Sequence, residues 1–214
     1  MPDTDDDRCR LCLVVPAGAD PVVFAPLLRD ALGGGDVAAV IVAGSGGELA
    51  AMAAAAVPIA QAEGAAVLVQ NDREVAERIG ADGVHHDQGA EGAAAVVEAL
   101  PPGRIVGVGG LKDRHQAMTA GEADPDYVFF GLLDGDRDDA IFPKALDMAA
   151  WWSSIFVVPA MVMGGRTPTS VSEAANIGIE FVALRDAVWT DPAGPAAAVA
   201  AANKALVRVG EAAQ

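Results

Sequence analysis

Residues 65–89 read AAVLVQNDREVAERIGADGVHHDQG, and this stretch decides the fold prediction. It begins with a β-branched run, AAVLVQN (65–71), which predicts a buried strand. Residues 73–79 follow as a short helix that ends at Gly80, because glycine is the usual residue just beyond a helix. The run DGVHH (82–86) then predicts the next strand. Strand, helix and strand in succession indicate the βαβ unit of a parallel sheet.

The same alternation extends over nearly the whole chain. Strands are predicted at 11–16, 37–44, 65–71, 82–86, 104–109, 126–131, 156–165 and 180–186. Helices are predicted at 21–32, 48–63, 73–79, 92–100, 113–120, 143–153, 169–177 and 195–209. Eight βα units without a linker predict one α/β domain over residues 11–214, a compact (β/α)₈ TIM barrel. An open, doubly wound sheet is the alternative architecture.

Composition narrows the classes of partner. The 214 residues include 14 Lys+Arg and 30 Asp+Glu, a formal net charge of −16, and 5% are aromatic. Such a chain repels nucleic acid and anionic lipid surfaces and lacks aromatic stacking platforms, so we expect a small-molecule ligand and neither a nucleic-acid nor a membrane partner. No apolar run is long enough to span a membrane, and the start, MPDTDDD, is acidic where a secretory signal is basic and then apolar. We therefore expect a cytoplasmic protein with a flexible acidic tail at residues 1–10.

The two cysteines, Cys9 and Cys12, have the spacing of a C-x-x-C motif. A redox pair or part of a zinc site is one interpretation, but zinc needs two further ligands. The motif also lies in a predicted strand, where residues three apart point to opposite faces. We therefore predict that both cysteines are structural.

The chemistry of a TIM barrel lies at the carboxyl ends of its strands. Asn71 and Asp72 end the third predicted strand, and the run HHDQ (85–88) ends the fourth. Imidazole and carboxylate ligands here can hold a divalent metal. The competing interpretation is that His85 points into the barrel and forms a hydrogen bond, while residues 86 and 87 face outward.

This stretch resembles the thiamine phosphate synthase and thiazole tautomerase family, in which a strand ends in Asn-Asp-Arg and Ala-Asp-Gly-Val-His closes the next, with a Gln three residues on. The resemblance covers about residues 11–188 in outline, and residues 71–88 carry its specific part. It implies a barrel of thiamine biosynthesis, a transferase that joins a pyrimidine carried on a pyrophosphate to a thiazole phosphate with the help of Mg²⁺. It also implies that Asp72 is a magnesium ligand and catalytic residue. Asn71 and His85 are then further catalytic, orienting residues, and Gln88 contacts the ligand.

The resemblance places a phosphate site where the seventh and eighth strands end. Gly164 and Gly165 close the seventh strand, and Arg166 follows them. Asp186 stands where the family has a phosphate-binding Ser. We interpret these four residues as ligand-binding. Arg166 either binds a phosphate or neutralises Asp186, and we expect the ion pair, with Arg185 turned towards the helices.

The chain departs from the family at several positions that hold phosphate or metal. On the second strand the family has Gln, Arg and Lys where this chain has Ile41, Ala43 and Ser45. Its second magnesium ligand is replaced by Ala90, and the Ser and His of its fifth strand are replaced by Gly110 and Lys112. Asp139 stands in place of the Lys of its sixth loop. These replacements predict that the parent activity is lost and the substrate changed. A non-catalytic ligand-binding or regulatory barrel is the alternative. Trp151 and Trp152 indicate either packing between helices or a homo-oligomer contact.

Overall fold

The computed structural model describes residues 8–211, and side chains within residues 8–207. Eight parallel strands close into a barrel in sequence order, β8 pairing with β1. The strands are β1 (Arg10–Val15), β2 (Ala39–Val42), β3 (Ala66–Gln70), β4 (Gly83–His86), β5 (Ile105–Val108), β6 (Tyr127–Phe130), β7 (Ala160–Met163) and β8 (Phe181–Leu184). The predicted TIM barrel is confirmed, and the open sheet is excluded. Of the predicted tail, residues 1–7 lie outside the described residues.

Helices surround the barrel. They are α1 (Pro21–Leu32), α2 (Gly46–Ala62), α3 (Arg73–Ile79), α4 (Ala93–Ala99), α5 (Arg114–Gly121), α6 (Pro143–Ser153), α7 (Val171–Asn176), α8 (Asp186–Trp189) and α9 (Pro195–Glu211), with a 3₁₀ turn at Pro168–Ser170 before α7. All eight predicted helices are present, within a few residues of their predicted ends. The short helix α8 was not predicted. None of the helices in the described part of the chain has the length and apolarity needed to cross a membrane.

Alternate residues of each strand point into the barrel or towards the helices, which makes two apolar clusters. The inner cluster includes Cys12, Ile41 and Phe129, and all three side chains are fully buried. Cys9 packs instead against the outer cluster, between strands and helices. Both cysteines are free thiols on opposite sides of the strand wall, as expected for structural residues.

A glycine makes room for the largest polar side chain of the interior. Gly107 on β5 has no side chain, and a Cβ atom there would collide with the ring of Tyr127 on β6. The Tyr127 ring occupies this space and is 4% exposed. It thereby reaches β4, on the far side of β5, and contributes its hydroxyl to the centre of the barrel.

The loop between β6 and α6, residues 131–142, lies over the carboxyl end of the barrel. Leu133 from this loop is 6% exposed and joins the inner cluster, in which it packs with side chains such as Phe129 and Met163. The same loop contributes Asp136, whose carboxylate is fully buried. The mouth of the barrel is therefore covered in part by the chain's own loop.

The tryptophan pair packs within the molecule. Trp152 is fully buried, stacks on Phe156 with ring centroids 4.0 Å apart, and donates a hydrogen bond from Nε1 to the carbonyl oxygen of Val158. Trp151 lies under the guanidinium of Arg114, at 4.8 Å from the ring centroid. Packing within the molecule accounts for Trp152, while Trp151 is partly exposed beside a neighbouring helix, and the homo-oligomer contact stays a prediction.

Candidate ligand site at the barrel mouth

The tips of β3 and β4 are joined by Asn71. Its Oδ1 accepts a hydrogen bond from the backbone N–H of Asp87 at 2.7 Å, and its own N–H donates to the carbonyl oxygen of His85. Asn71 has a φ of 57°, a left-handed conformation that asparagine tolerates better than most residues. Asn71, which was predicted to orient the ligand, here holds the backbone of the neighbouring strand end.

Gln70 and Asp87 form a polar bridge across the mouth. Gln70 Oε1 accepts from the N–H of Gly44 after β2, and Gln70 Nε2 donates to Asp87 Oδ2 at 3.0 Å. Burial raises the pKa of the Asp87 carboxyl, and the hydrogen bond from Gln70 partly offsets this effect. Asp87 therefore faces the mouth, and the expectation that it points outward was wrong. The reason is that it lies two residues after His85, on the same side of the chain.

His85 points into the barrel and forms a hydrogen bond, as the competing interpretation stated. Its Nδ1 lies 2.7 Å from the Tyr127 hydroxyl, and its ring is fully buried against Phe129. Burial, with the neighbouring His86 as a second cause, lowers the pKa of His85 from 6.5 to about 3. The imidazole is therefore neutral near neutral pH. His86 faces the helices, where its Nε2 lies 2.9 Å from the carbonyl oxygen of Glu91.

Within residues 8–207, two buried polar atoms at the tip of β4 have no hydrogen-bond partner. They are His85 Nε2 and Asp87 Oδ1, 3.9 Å apart. Gly109 lies beside them, and a Cβ atom there would be 2.8 Å from each. Buried polar atoms are rarely left unpaired, so this pair is the best-defined polar contact that the mouth offers to a ligand.

Asp72 and Gln88 are placed apart from this pair. Asp72 immediately precedes α3 and caps it, because its Oδ1 accepts a hydrogen bond from the N–H of Val75 at 2.9 Å. Gln88 is exposed to solvent. Among the side chains that the structure describes, no three His, Cys, Asp or Glu residues lie close enough together to hold a metal ion. The magnesium site predicted at Asp72 therefore stays a prediction.

The corner between β7 and β8 is filled by the β6–α6 loop. Asp136 Oδ2 accepts a hydrogen bond at 2.7 Å from the N–H of Asp186, the first residue of α8. Asp136 Oδ1 lies 2.7 Å from Arg185 Nη2, and Arg185 Nε lies 3.1 Å from Asp186 Oδ1. Burial raises the pKa of the Asp136 carboxyl above its ordinary value, and the hydrogen bond from the Asp186 N–H and the charge of Arg185 offset only part of this rise. A phosphate in this corner would meet a carboxylate of the protein.

This arrangement corrects two expectations about cations. Arg185, not Arg166, is the ion-pair partner of Asp186, and it turns towards the loop instead of the helices. The reason is that Asp136, fifty positions earlier in the chain, supplies a buried carboxylate that no local pattern reveals. Arg166 is exposed, and its backbone N–H donates to the carbonyl oxygen of Asp138.

Gly164 and Gly165 are also engaged within the protein. The N–H of Gly164 donates to Ala183, and that of Gly165 donates to Ser170 Oγ at 3.0 Å. A Cβ atom on Gly165 would collide with the backbone of Asp139. Gly165 thus accommodates the β6–α6 loop, whereas a Cβ atom on Gly164 would meet Leu184 of β8.

Sequence reasoning did not single out Gln70, Tyr127 or Asp136. Period-two alternation along β3 and β6 places Gln70 and Tyr127 in the interior, so the same pattern that predicted the strands contained this signal. Asp136 lies in an irregular loop, where no periodicity applies. The contacts of Asp136 with Arg185 and Asp186 are therefore visible only in the structure.

Fold and site together define a class: a single-domain TIM barrel with a small polar site at its mouth. The sequence profile described as "Thiamine monophosphate synthase" matches residues 11–188. The thiamine-phosphate synthase of Rhodospirillum centenum is 36% identical over 206 residues, which cover 92% of this chain and 98% of that protein. That of Hyphomonas neptunium is 34% identical and covers 92% and 93%. The chain belongs to the thiamine monophosphate synthase family, as its sequence predicted.

A solved structure supports the fold. The thiamine phosphate pyrophosphorylase from Pyrococcus furiosus superposes with a TM-score of 0.76 over 95% of this chain and 98% of that chain. The two sequences are 19% identical, so this likeness concerns the barrel itself.

Proposed function

We propose that this barrel of the thiamine monophosphate synthase family binds a small molecule other than the two phosphorylated substrates of the parent reaction. The observation that carries the proposal is the position of Asp136. TIM barrels commonly bind phosphate between the loops after the seventh and eighth strands and a short extra helix. Here a buried carboxylate accepts the hydrogen bond of that helix's first N–H. A phosphate would have to displace this carboxylate or repel it at close range.

The second strand supports the same proposal. Where the family resemblance implies a side chain that binds pyrophosphate, Ile41 is fully buried in the inner cluster. Ala43 follows and packs against the same cluster, Ser45 is exposed just before α2, and neither carries a charge. A departing pyrophosphate needs cations or hydrogen-bond donors as its charge builds up. The groups that supply them elsewhere in the family are absent from these positions.

What remains at the mouth are polar groups that can form hydrogen bonds to a ligand. His85 Nε2 and Asp87 Oδ1 have no partner within the described residues, and Gln70 holds Asp87 in place. Such a pair suits a ligand that donates one hydrogen bond and accepts or donates another. We infer that it orients the changed ligand.

A non-catalytic ligand-binding barrel is the second candidate, and a specific observation favours it. The three predicted catalytic residues are already engaged: Asp72 caps α3, Asn71 holds the backbone of Asp87, and His85 is bonded to Tyr127. Because burial lowers its pKa to about 3, His85 is neutral near neutral pH and a weak base there. Binding without turnover is consistent with these internal contacts.

Calorimetric titration tests the proposal. The purified protein is titrated with the pyrimidine pyrophosphate and with the thiazole phosphate, each with and without Mg²⁺, and the mixture is assayed for thiamine phosphate. The Rhodospirillum centenum relative, under identical conditions, is the positive control. We expect neither heat nor product from this chain, and product formation would overturn the proposal.

A thermal-shift screen of unphosphorylated metabolites then separates the two candidates. Compounds that raise the melting temperature are incubated with the protein and followed by mass spectrometry. Conversion of a bound compound identifies an enzyme with a changed substrate. A stabilising compound that stays unchanged identifies a binding protein.

A further inference from the structure

A cavity of about 340 Å³ lies to one side of the mouth, between the β5–α5 loop, the β6–α6 loop and α6. Its volume falls within the roughly 300–1,000 Å³ of small-molecule sites. The candidate residues on β3, on β4 and at the β7–β8 corner do not line it. It nevertheless adjoins the mouth, because Lys112 in its lining takes the position of the family's fifth-strand His and the β6–α6 loop is the one that carries the family's Lys. The proposal below therefore rests on the proposed function.

The walls of the cavity are mainly apolar. Leu111, Met148 and Met163 form its buried part. Leu132 and Phe142 form its rim and are 53% and 56% exposed, which is high for large apolar side chains. An apolar ligand body would cover both, and the free energy gained is about 25 cal/mol for each Å² removed from water.

Three cations surround this apolar space: Lys112, Arg137 and Lys144. Among the side chains that the structure describes, none offers their head groups a hydrogen bond or an ion pair. Asp138 is the opposing carboxylate of the lining. In a chain with a formal charge of −16, a cavity whose charged lining is net positive is a local reversal of sign.

The beginning of α6 adds to this positive field. The helix starts at Pro143 without a side-chain cap, and its first turn, with Lys144 and Ala145, borders the cavity. The N–H groups of Ala145 and Leu146 already donate to the carbonyl oxygen of Phe142, so what this helix end adds beside Lys144 is the partial positive charge of the helix dipole. An anionic group near Lys144 is thus favoured by both the ammonium and the helix.

We propose that this cavity is a binding site for an amphipathic organic anion, a molecule with an apolar ring body and a single negatively charged group. The ring body packs between Leu132, Phe142 and Met148, and the charged group lies between the two lysines and Arg137. The apolar body supplies most of the binding free energy, and the cations select for negative charge.

A matched pair of fluorescent probes tests the charge requirement. 1-Anilinonaphthalene-8-sulfonate carries an apolar double ring and one sulfonate, and N-phenyl-1-naphthylamine is the same skeleton without the charge. We expect calorimetry to show that the sulfonate binds at one site per chain and more tightly than the neutral probe. Its affinity should fall as sodium chloride is added. Equal binding of both probes, or no binding of the sulfonate, would overturn the proposal.

Charge-removing variants locate the site. We expect the double variant Lys112→Met, Lys144→Met to bind the sulfonate about tenfold or more weakly and to keep its affinity for the neutral probe. Lys204→Met, at an exposed position of α9, is the matched control and should change neither. All the altered residues are exposed, so the fold should be retained, which circular dichroism checks. If Lys204→Met weakens the sulfonate as much as the double variant does, the effect is one of overall charge and the site is not this cavity.

Discussion

The carboxylate of Asp136 lies 2.7 Å from the backbone nitrogen of Asp186, and so ties the β6–α6 loop to the end of β8. Arg185 lies 2.7 Å from the other oxygen of the same carboxylate. The loop is thereby held across the corner by one hydrogen bond and one buried ion pair. Both contacts depend on a single side chain, which makes that side chain the natural target for mutation.

Asp136→Asn should lower the free energy of unfolding by about 2 kcal/mol, because the amide keeps an acceptor for Asp186 but leaves Arg185 without its buried counter-charge. Urea denaturation measures the change. Asp139→Asn, an exposed position in the same loop, is the control and should stay within about 0.5 kcal/mol of the parent. Equal effects of the two substitutions would contradict the buried contact.

Tyr127→Phe removes the hydroxyl that lies against His85 Nδ1 and leaves that buried nitrogen unpaired. We expect a loss of about 1–3 kcal/mol in unfolding free energy. The comparison that isolates the hydrogen bond is a double-mutant cycle with His85→Leu. If the two substitutions are additive, the hydroxyl and the ring do not interact.

Acid should destabilise the protein through His85. The unfolded histidine has a pKa of 6.5 and the folded one about 3, so between these values the unfolded chain binds a proton that the folded chain does not. The contribution of His85 to the free energy of unfolding is therefore fully present above pH 6.5, and it is lost towards pH 3 at up to about 1.4 kcal/mol per pH unit. His85→Gln should reduce the slope between pH 6.5 and 5. His115→Gln, at an exposed position of α5, should not.

The thiols should be nearly inert in the folded protein. Burial raises the pKa of Cys12 to about 12, with a further contribution from Cys9, and burial and Glu180 raise that of Cys9 to about 12. Since the thiolate is the reactive form, labelling with a chromogenic disulfide at pH 8 should be slow in buffer and yield two thiols per chain in denaturant. Rapid labelling of the native protein would show that the strand wall opens.

Gly165→Ala should destabilise the protein by more than about 1 kcal/mol, because the added methyl group meets the backbone of Asp139 and pushes the loop away from β7. Gly47→Ala is the matched control. Its Cβ would meet nothing within 4 Å, and it lies in the first turn of α2, so the substitution should be neutral or stabilising. Thermal unfolding of both variants decides the matter.

Periodicity accounts for what the sequence predicted well. The eight strands and the helices at 73–79 and 143–153 follow from β-branched runs and glycine or proline punctuation, which are local signals. Alternation also placed His85 inside, Cys12 of β1 inside, and Cys9, just before β1, on the side of the helices.

Long-range contacts account for what it did not predict. The partner of Arg185 lies in an irregular loop, and α8 is only four residues long, too short for any period to show. Asp72 illustrates a third limit. A carboxylate that follows a strand and precedes a helix is equally suited to bind a metal or to cap the helix, and here the nearby N–H of Val75 engages one of its oxygens.

The pairing of β1 with β8 has a consequence for how the chain is made. One edge of β1, at Arg10–Leu13, finds its partner only in Phe181–Leu184, more than 160 residues later. At a synthesis rate of about 5–20 residues per second, that edge stays open for some ten to thirty seconds on the ribosome. An unpaired strand edge invites pairing with other chains. The growing protein is thus exposed to misassembly until almost its entire length has emerged, and the last strand ends that exposure.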